Sequence, residues 1–115
     1  MFSIGTDIVK VDRIRKLSKD KKFLNKVFTA KEVKYCNSYS NSYIHLSGKY
    51  AGKEAVKKAL LSESIVDNIS LKNIEILNKI DKSPYVIING INNIKCLISI
   101  SHDGEYALAF VLIEK

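Results

Sequence analysis

Two different periods govern the apolar positions along this chain. In the segment 2–9, apolar and polar residues alternate, which predicts a strand with Ile4 on one side and Asp7 on the other. The apolar positions that follow lie three or four apart, the spacing of helices. Thr29 followed by Glu32 is the signature of a capping box, so a helix is predicted to begin there.

The longest helical pattern covers the segment 42–61, which we predict to be a long central helix. One arc of this helix consists of small and apolar residues, so a neighbouring element can approach closely. The residues of this arc are Gly48, Gly52, Ala55, Val56, Ala59 and Leu60. Glu54 lies on the opposite arc among Lys53, Lys57 and Lys58. The ordinary interpretation is a solvated face with an ion pair between Glu54 and Lys58, and a functional site is the alternative.

The second half of the chain alternates again, as strands do. These strands would form a meander over residues 74–77, 85–88, 97–101 and 106–113. Asp103-Gly104 is the dipeptide of a type I′ hairpin turn. Because helices precede strands, the order argues for an α+β fold with a mainly antiparallel sheet packed against the long central helix. The length of 115 residues and the lack of a linker favour a single domain, 1–115.

The cysteines and the apolar runs of the sequence indicate in which cellular compartment the protein is expected. Cys36 and Cys96 make no disulfide framework and are expected to be free thiols in a reducing environment. No apolar run is long enough to span a bilayer, and the chain opens without the pattern of a signal peptide. We therefore expect a cytoplasmic protein without a membrane partner, or one of an organelle lumen if a targeting segment has been removed.

The net charge of +7 is concentrated in one segment. Between Lys10 and Lys34 there are ten basic and three acidic residues, which account for the whole excess. Such a patch suits an acidic protein, a nucleic acid or an anionic surface. Phe23 and Phe28 fall on the apolar side of the helical pattern and resemble core residues, not a stacking platform for bases. A non-catalytic basic module that binds an acidic protein or nucleic acid therefore stays open only as an alternative.

The sequence has no phosphate-binding glycine loop, no HExxH motif and no zinc-finger spacing. Two residues are nevertheless unusual. Asp7 is a carboxylate near the end of an apolar strand, and His102 comes just before a tight turn, where ligand-facing residues often lie. Taken alone, each is more often a structural residue than a functional one.

Several segments, taken together, match the motifs of one family. They are 4–9 with 11–14, 27–29 with Glu32, 35–36, 46–60, 74–77, Pro84, and 98–102 with 106–107. In this combination the chain resembles the holo-[acyl-carrier-protein] synthase family, the small AcpS-type 4′-phosphopantetheinyl transferases. The run 46–60 is similar to the family's central signature, in which a lysine follows a Lys-Glu-Ala glutamate by four residues. The resemblance covers nearly the whole chain in the family's order.

The resemblance implies an enzyme that moves the phosphopantetheine arm of coenzyme A onto a serine of apo acyl carrier protein. Adenosine 3′,5′-bisphosphate is released, and the product serves fatty acid biosynthesis. By resemblance Asp7 and Glu54 hold Mg²⁺ and Lys58 contacts the pyrophosphate, so these three residues are the expected catalytic set. The residues expected to bind the coenzyme are Lys49, Lys53, Lys58, Pro84, Ser101 and His102. The group that takes the serine proton stays open between Asp7, Glu54 acting through water, and a metal-bound water.

The resemblance also gives the basic segment a partner, because acyl carrier proteins are strongly acidic. The expected docking residues are Arg13, Arg15, Lys16, Lys19, Lys21, Lys22 and Phe23. The family implies a homotrimer with each active site between two subunits, and no nucleic acid. Three departures from the family are visible. The Gly-Thr-Gly turn after the central helix is replaced by the glycine-free segment 61–66, a Gly-Lys-Pro run becomes Lys82-Ser83-Pro84, and an arginine of the signature is Lys49.

Overall fold

The computed structural model describes all 115 residues and confirms the α+β class. Its strands are β1 (Phe2–Lys10), β2 (Ile74–Asn78), β3 (Pro84–Ile88), β4 (Lys95–Asp103) and β5 (Tyr106–Glu114). Its helices are α1 (Val11–Leu17), α2 (Lys21–Val27), α3 (Ala30–Asn37) and α4 (Ser42–Ser62), and a 3-10 turn, Leu71–Asn73, precedes β2. The predicted capping box is present at the start of α3, because Thr29 and Glu32 each bond to the other's backbone N–H.

The strands form two antiparallel sheets, not one meander. The larger sheet has the order β1-β5-β4, so the first strand of the chain pairs with the last. The smaller sheet is the hairpin β2-β3. The expectation of one meander was wrong because β3 does not pair with β4, and local alternation identifies strands but not their partners.

The two central residues of the tight turn between β4 and β5 lie one position later than the predicted pair Asp103-Gly104. Asp103 pairs with Tyr106, so the central residues of the turn are Gly104 and Glu105. Only Gly104 has a positive φ, of +57°. A type I′ turn requires positive φ at both central residues, whereas glycine at the first central position alone is the pattern of type II′. Gly104 is therefore needed at the position where the chain reverses.

Helix α4 packs so closely against the large sheet that no side chain fits between their backbones at the point of contact. A Cβ added to Gly5 of β1 would lie 1.9 Å from the carbonyl oxygen of Ala55. A Cβ on Gly52 would lie 2.5 Å from Cδ1 of Ile76. The predicted arc of small residues is thus a contact surface for β1 on one side and for β2 and β4 on the other. Most of α4 is enclosed, and only a narrow stripe that includes Glu54 and Lys58 reaches solvent.

The large sheet turns its bulkiest side chains away from α4. In β1 the residues that face the helix are Ser3, Gly5 and Val9, while Ile4 is 58% exposed. We call the opposite surface of the sheet the outer face. Its large apolar residues are Phe2, Ile4, Ile8, Leu97, Leu108 and Phe110. None of the helices combines the length and the apolar character needed to cross a bilayer.

Candidate active site

Asp7 and Lys58 meet where β1 crosses α4. The Lys58 ammonium donates to Oδ1 of Asp7 and to the backbone oxygen of Thr6, both at 3.0 Å. The Asp7 side chain is 16% exposed and the Lys58 side chain 56%. The contact follows from the close approach at Gly5, because Asp7 lies two residues further along the same face of β1. We call Asp7, Glu54 and Lys58 the carboxylate site.

Glu54 lies one helical turn before Lys58 and is half-buried on the same stripe of α4. The predicted ion pair between Glu54 and Lys58 is absent, since Lys58 pairs with Asp7 and the carboxylate of Glu54 is in none of the four ion pairs of the chain. The ordinary interpretation is therefore wrong in its ion pair between Glu54 and Lys58, although the face does reach solvent. The structure leaves one carboxylate compensated by an ammonium and the other without a charged partner.

The carboxylate site fits a magnesium ion by its chemistry. Magnesium prefers oxygen ligands, and it usually takes one or two carboxylates while waters and substrate phosphates complete the octahedron. Asp7, Glu54 and the backbone oxygen of Thr6 are all hard oxygen donors. No group of three or more His, Cys, Asp or Glu side chains gathers anywhere in the chain. Asp7 and Glu54 are the residues that would hold such an ion, with the remaining ligands left to water or substrate.

A cavity of about 340 Å³ opens beside the first half of α4. It brings together Lys49, Pro84 and His102, three of the residues predicted to bind the coenzyme. They come from α4, from the start of β3 and from the end of β4. We call this the α4 cavity. Its remaining lining residues are Tyr35, Tyr39, Ile44, His45, Gly48, Asn78, Lys82 and Ile100.

Lys49 is held at the wall of the α4 cavity by two acceptors. Its ammonium donates to the backbone oxygen of Ile76 at 2.6 Å and to Oδ1 of Asn78 at 2.7 Å. It also lies 4.8 Å from the centre of the Tyr35 ring, an arrangement that favours a cation. Burial lowers the pKa of the Lys49 ammonium, and the neighbouring Cys36 and Glu32 oppose that shift. A fixed positive charge with one unused N–H suits an anionic ligand group.

Two aromatic residues and a histidine form a part of the cavity that sequence reasoning missed. The rings of Tyr39 and His45 stack with centroids 3.9 Å apart, and Tyr35 meets both rings edge-on. Burial lowers the pKa of His45, which favours the neutral ring. Burial, together with the hydrogen bond to Tyr39, raises the pKa of Tyr35 to about 12. The available signal was the spacing of four between Tyr35 and Tyr39, although Tyr39 lies in a stretch whose composition predicted only a loop.

Lys53 does not belong to the α4 cavity, which corrects its prediction as a coenzyme contact. Its side chain is fully buried and pairs with the equally buried Glu32 at 2.7 Å. The ammonium also donates to the backbone oxygens of Leu71 and Ile74. Glu32 in turn accepts from the backbone N–H of Ile76 at 2.8 Å. With every donor used inside the core, Lys53 ties α3, α4 and β2 together and reaches no ligand.

Ser101 is likewise separated from His102. Adjacent residues of a strand point to opposite faces of the sheet. His102 lines the α4 cavity, so Ser101 lies on the outer face, opposite Leu108 of β5. Within one chain the two side chains therefore lie on opposite faces of the sheet, and the expected contact of Ser101 with the nucleotide stays a prediction.

The predicted docking residues lie at the surface of α1 and α2. Arg13, Lys16, Lys19, Lys21 and Lys22 are exposed. Arg15 and Lys16 both pair with Asp12, and these contacts lower the pKa of that carboxyl. Phe23 is half-buried against the rings of Phe28 and Tyr50, each with its centroid 6.2 Å away. Arg13, Lys19, Lys21 and Lys22 make no ion pair and can meet a partner, whereas most of the Phe23 ring packs in the core.

Comparisons with known proteins agree on one family. Residues 3–111 match the family model described as "4′-phosphopantetheinyl transferase superfamily". A holo-[acyl-carrier-protein] synthase of Thermodesulfovibrio yellowstonii is 49% identical over 112 residues, which cover 96% of each chain. A Chronobacterium ammoniagenes ACPS–CoA complex superposes with a TM-score of 0.83 at 27% identity and covers 98% of this chain and 96% of the other. The Helicobacter pylori holo-[acyl-carrier-protein] synthase in complex with coenzyme A gives a TM-score of 0.79 at 29% identity, with 96% and 99% covered.

Proposed function

Because this chain belongs to the 4′-phosphopantetheinyl transferase superfamily, among relatives named holo-[acyl-carrier-protein] synthase, we propose that it transfers phosphopantetheine from coenzyme A to apo acyl carrier protein. The acceptor is a serine hydroxyl of the carrier and the second product is adenosine 3′,5′-bisphosphate. Two of the similar solved structures are described as complexes with coenzyme A, which supports the choice of donor. We further propose that the reaction depends on Mg²⁺, takes place in the cytoplasm and supplies fatty acid biosynthesis.

One observation carries the proposal: helix α4 contributes to both the α4 cavity and the carboxylate site. Lys49 in the cavity and Glu54 in the carboxylate site are five residues apart, or about 7.5 Å along the axis and about 140° around it, so they point to different sides of the helix. A ligand that uses both kinds of site needs a phosphate-bearing group for each, and in the homotrimer proposed below it takes the two sites from neighbouring subunits. Coenzyme A has a nucleotide with a 3′-phosphate and a pyrophosphate, and it meets this requirement.

We assign the following roles to the residues of the two sites. Lys49 and His102 bind the nucleotide end, with Pro84 as a wall of the cavity. Asp7 and Glu54 would hold Mg²⁺, which when bound neutralises charge on the pyrophosphate and on the leaving bisphosphate. Lys58 donates to a pyrophosphate oxygen and stabilises the negative charge that develops there. Transfer of this kind depends on positioning and charge neutralisation far more than on covalent chemistry by the protein.

We propose that the active protein is a homotrimer whose subunits meet through the outer face. Exposed apolar patches of several large side chains are uncommon on monomeric proteins and mark contact surfaces. The outer face offers such a patch on all three strands of the large sheet, at residues that include Ile4, Leu97 and Phe110. In such an assembly Ser101 would lie at the subunit contact.

The basic surface of α1 and α2 supports an acidic carrier protein as the acceptor. Arg13, Lys19 and Lys22 present exposed positive charge without an acidic partner in the chain. Complementary charge steers association and raises the on-rate, and salt weakens this effect. The proposed carrier therefore binds on the side of the molecule that holds the net charge of +7.

Mass spectrometry of the carrier protein tests the function. Purified chain, coenzyme A, Mg²⁺ and apo carrier are incubated together, and the carrier is expected to gain the mass of one phosphopantetheine. Omitting the coenzyme or the chain gives the baseline. No mass gain under conditions in which an established transferase modifies the same carrier would refute the proposal. Salt-sensitive binding of the carrier without a mass gain would instead support a non-catalytic basic module.

A further inference from the structure

We propose that the ammonium of Lys58 occupies the metal position of the carboxylate site in the free protein, so that metal binding requires Lys58 to leave. This inference rests on the proposed function, because it assumes that Asp7 and Glu54 are the magnesium ligands. Lys58 would then act twice: as a stand-in cation beside Asp7 before the metal binds, and as a donor to the coenzyme's pyrophosphate once the metal has bound.

The first argument is the convergence of oxygens on the Lys58 nitrogen. Oδ1 of Asp7 and the backbone oxygen of Thr6 are both 3.0 Å from Nζ. The two acceptors belong to consecutive residues of β1, and the Lys58 nitrogen is the cation between them. A magnesium ion binds carboxylate oxygen at about 2.0–2.1 Å, so a metal on Asp7 would lie within a few ångströms of the ammonium held by the same carboxylate. The two positive charges repel each other at that distance, which favours departure of Lys58 when the metal binds.

The second argument is the unequal state of the two carboxylates. Asp7 is largely enclosed and compensated by Lys58, whereas Glu54 is half-buried and has no ion-pair partner. Helix geometry would allow Lys58 to pair with Glu54 four residues earlier, yet it crosses to β1. The free protein thus has one carboxylate ready for a metal and one that is blocked.

The third argument is that Lys58 is able to leave. Its side chain is 56% exposed, and ion pairs made by exposed lysines are weak. Nothing in the core depends on its ammonium, in contrast to Lys53, whose nitrogen is enclosed by Glu32 and two backbone oxygens. When coenzyme A binds, its pyrophosphate gives the ammonium a new anionic partner. Metal and coenzyme should therefore bind with positive coupling, and the coupling must be reciprocal.

Metal binding to the free protein tests the inference without any transfer reaction. Mn²⁺ serves as the probe, and its dissociation constant is measured by titration calorimetry and by electron paramagnetic resonance of the free ion. Lys58→Met is expected to bind Mn²⁺ about three- to tenfold more tightly than the natural chain, the size of an exposed ion pair plus the repulsion that is removed. Lys58→Arg keeps the charge and the reach to Asp7, so its affinity should stay close to that of the natural chain.

Lys57→Met is the matched control, because it removes the same charge from the neighbouring position of α4, where no ion pair is formed. It should leave the Mn²⁺ affinity nearly unchanged. Equal tightening in Lys57→Met and Lys58→Met would overturn the inference in favour of a general effect of net charge. Unchanged or weaker binding in Lys58→Met would also overturn it.

A second titration, at saturating coenzyme A, measures the coupling. Coenzyme A should tighten Mn²⁺ binding by a larger factor in the natural chain than in Lys58→Met, because only the natural chain has an ammonium to be drawn away. Equal factors would contradict the coupling. These binding results are independent of the transfer assay, so a chain that transfers phosphopantetheine but shows no effect of Lys58→Met refutes only the stand-in role. A chain without transfer activity refutes only the function.

Discussion

Asp7 and Glu54, the two proposed metal ligands, are both carboxylates but lie in very different surroundings. Asp7 lies under the crossing of β1 and α4 with its charge balanced by Lys58. Glu54 is on the open stripe of the helix and without an ion-pair partner. Replacing either carboxylate by its amide keeps the size and shape of the side chain but removes a charge that the metal requires.

We therefore expect Asp7→Asn and Glu54→Gln each to lower the transfer rate about 100-fold or more, because a bound metal contributes several kcal/mol of charge stabilisation. The fold should persist in both, since neither side chain is fully buried. The measurement is the rate of carrier modification over a range of Mg²⁺ concentrations, with thermal unfolding of each variant. Asp67→Asn, at an exposed position without an ion pair, is the control and should retain normal activity. Near-normal rates in both site variants would show that these residues hold no metal.

The buried pair of Lys53 and Glu32 leads to a prediction about stability. Both side chains are fully enclosed, and removal of one partner leaves a buried charge without compensation. Lys53→Met should lower the free energy of unfolding by about 3–5 kcal/mol. Urea unfolding followed by circular dichroism measures the loss. Lys57→Met, which removes a half-buried lysine without an ion pair, should change stability by about 0.5 kcal/mol or less. A loss below about 1 kcal/mol in Lys53→Met would mean that the core compensates for the missing ammonium.

At the scale of single residues, the sequence could nominate candidate site residues but could not distinguish the surroundings of Lys49 and Lys53. Asp7, Glu54 and Lys58 were identified by resemblance, and the structure places Asp7 against Lys58. Lys49 and Lys53 were indistinguishable, because both are basic residues of the same helix. The partner that separates them, Glu32, comes from another helix, and no spacing along the chain reveals that contact.

At the scale of elements, the crossing of β1 and α4 determines the position of the carboxylate site. A Cβ on Gly5 would meet the backbone of Ala55 at 1.9 Å, and a backbone carbonyl of an α-helix has little freedom to move. Gly5→Ala should therefore lower the free energy of unfolding by about 3 kcal/mol or more, as severe overpacking does. Gly48→Ala is the matched control with a smaller expected loss, because its Cβ would meet only a methyl group of Ile100 at 2.9 Å. Urea unfolding of the two variants distinguishes these cases, and equal stability of Gly5→Ala and the natural chain would contradict the packing.

The same crossing explains why the faces of β1 could not be assigned from the pattern. Alternation correctly predicted a strand, and an apolar side chain such as Ile4 would ordinarily point to the core. The close approach of α4 leaves room only for small residues, so Ser3 and Gly5 face the helix while Ile4 faces outward. By contrast the capping box of α3 was predictable, because its two hydrogen bonds depend only on residues three positions apart.

At the scale of the whole molecule, the basic surface and the outer face differ in the kind of partner that each suits. The basic surface of α1 and α2 is polar and is therefore stable in contact with water. The outer face leaves Ile4 and Phe110 58% and 47% exposed on adjacent strands of one sheet. A large apolar patch in contact with water favours association, and several such side chains contribute about 1.5–3 kcal/mol each when they are fully buried. A carrier protein with its strongly acidic surface suits the first surface, and a second copy of this chain suits the other.

We therefore expect the purified chain to sediment at three times its mass of 13.0 kDa. Phe110→Glu places a charge in the centre of the outer face, on the middle strand of the large sheet, and should shift the sedimenting species towards the monomer at micromolar concentration. Ile80→Glu is the matched control, because Ile80 is fully exposed in the turn between β2 and β3 and away from the outer face. If each active site lies between two subunits, Phe110→Glu should also lose transfer activity, and that activity should return in part at high protein concentration. A natural chain that sediments as a monomer at all concentrations would show that the outer face serves another partner.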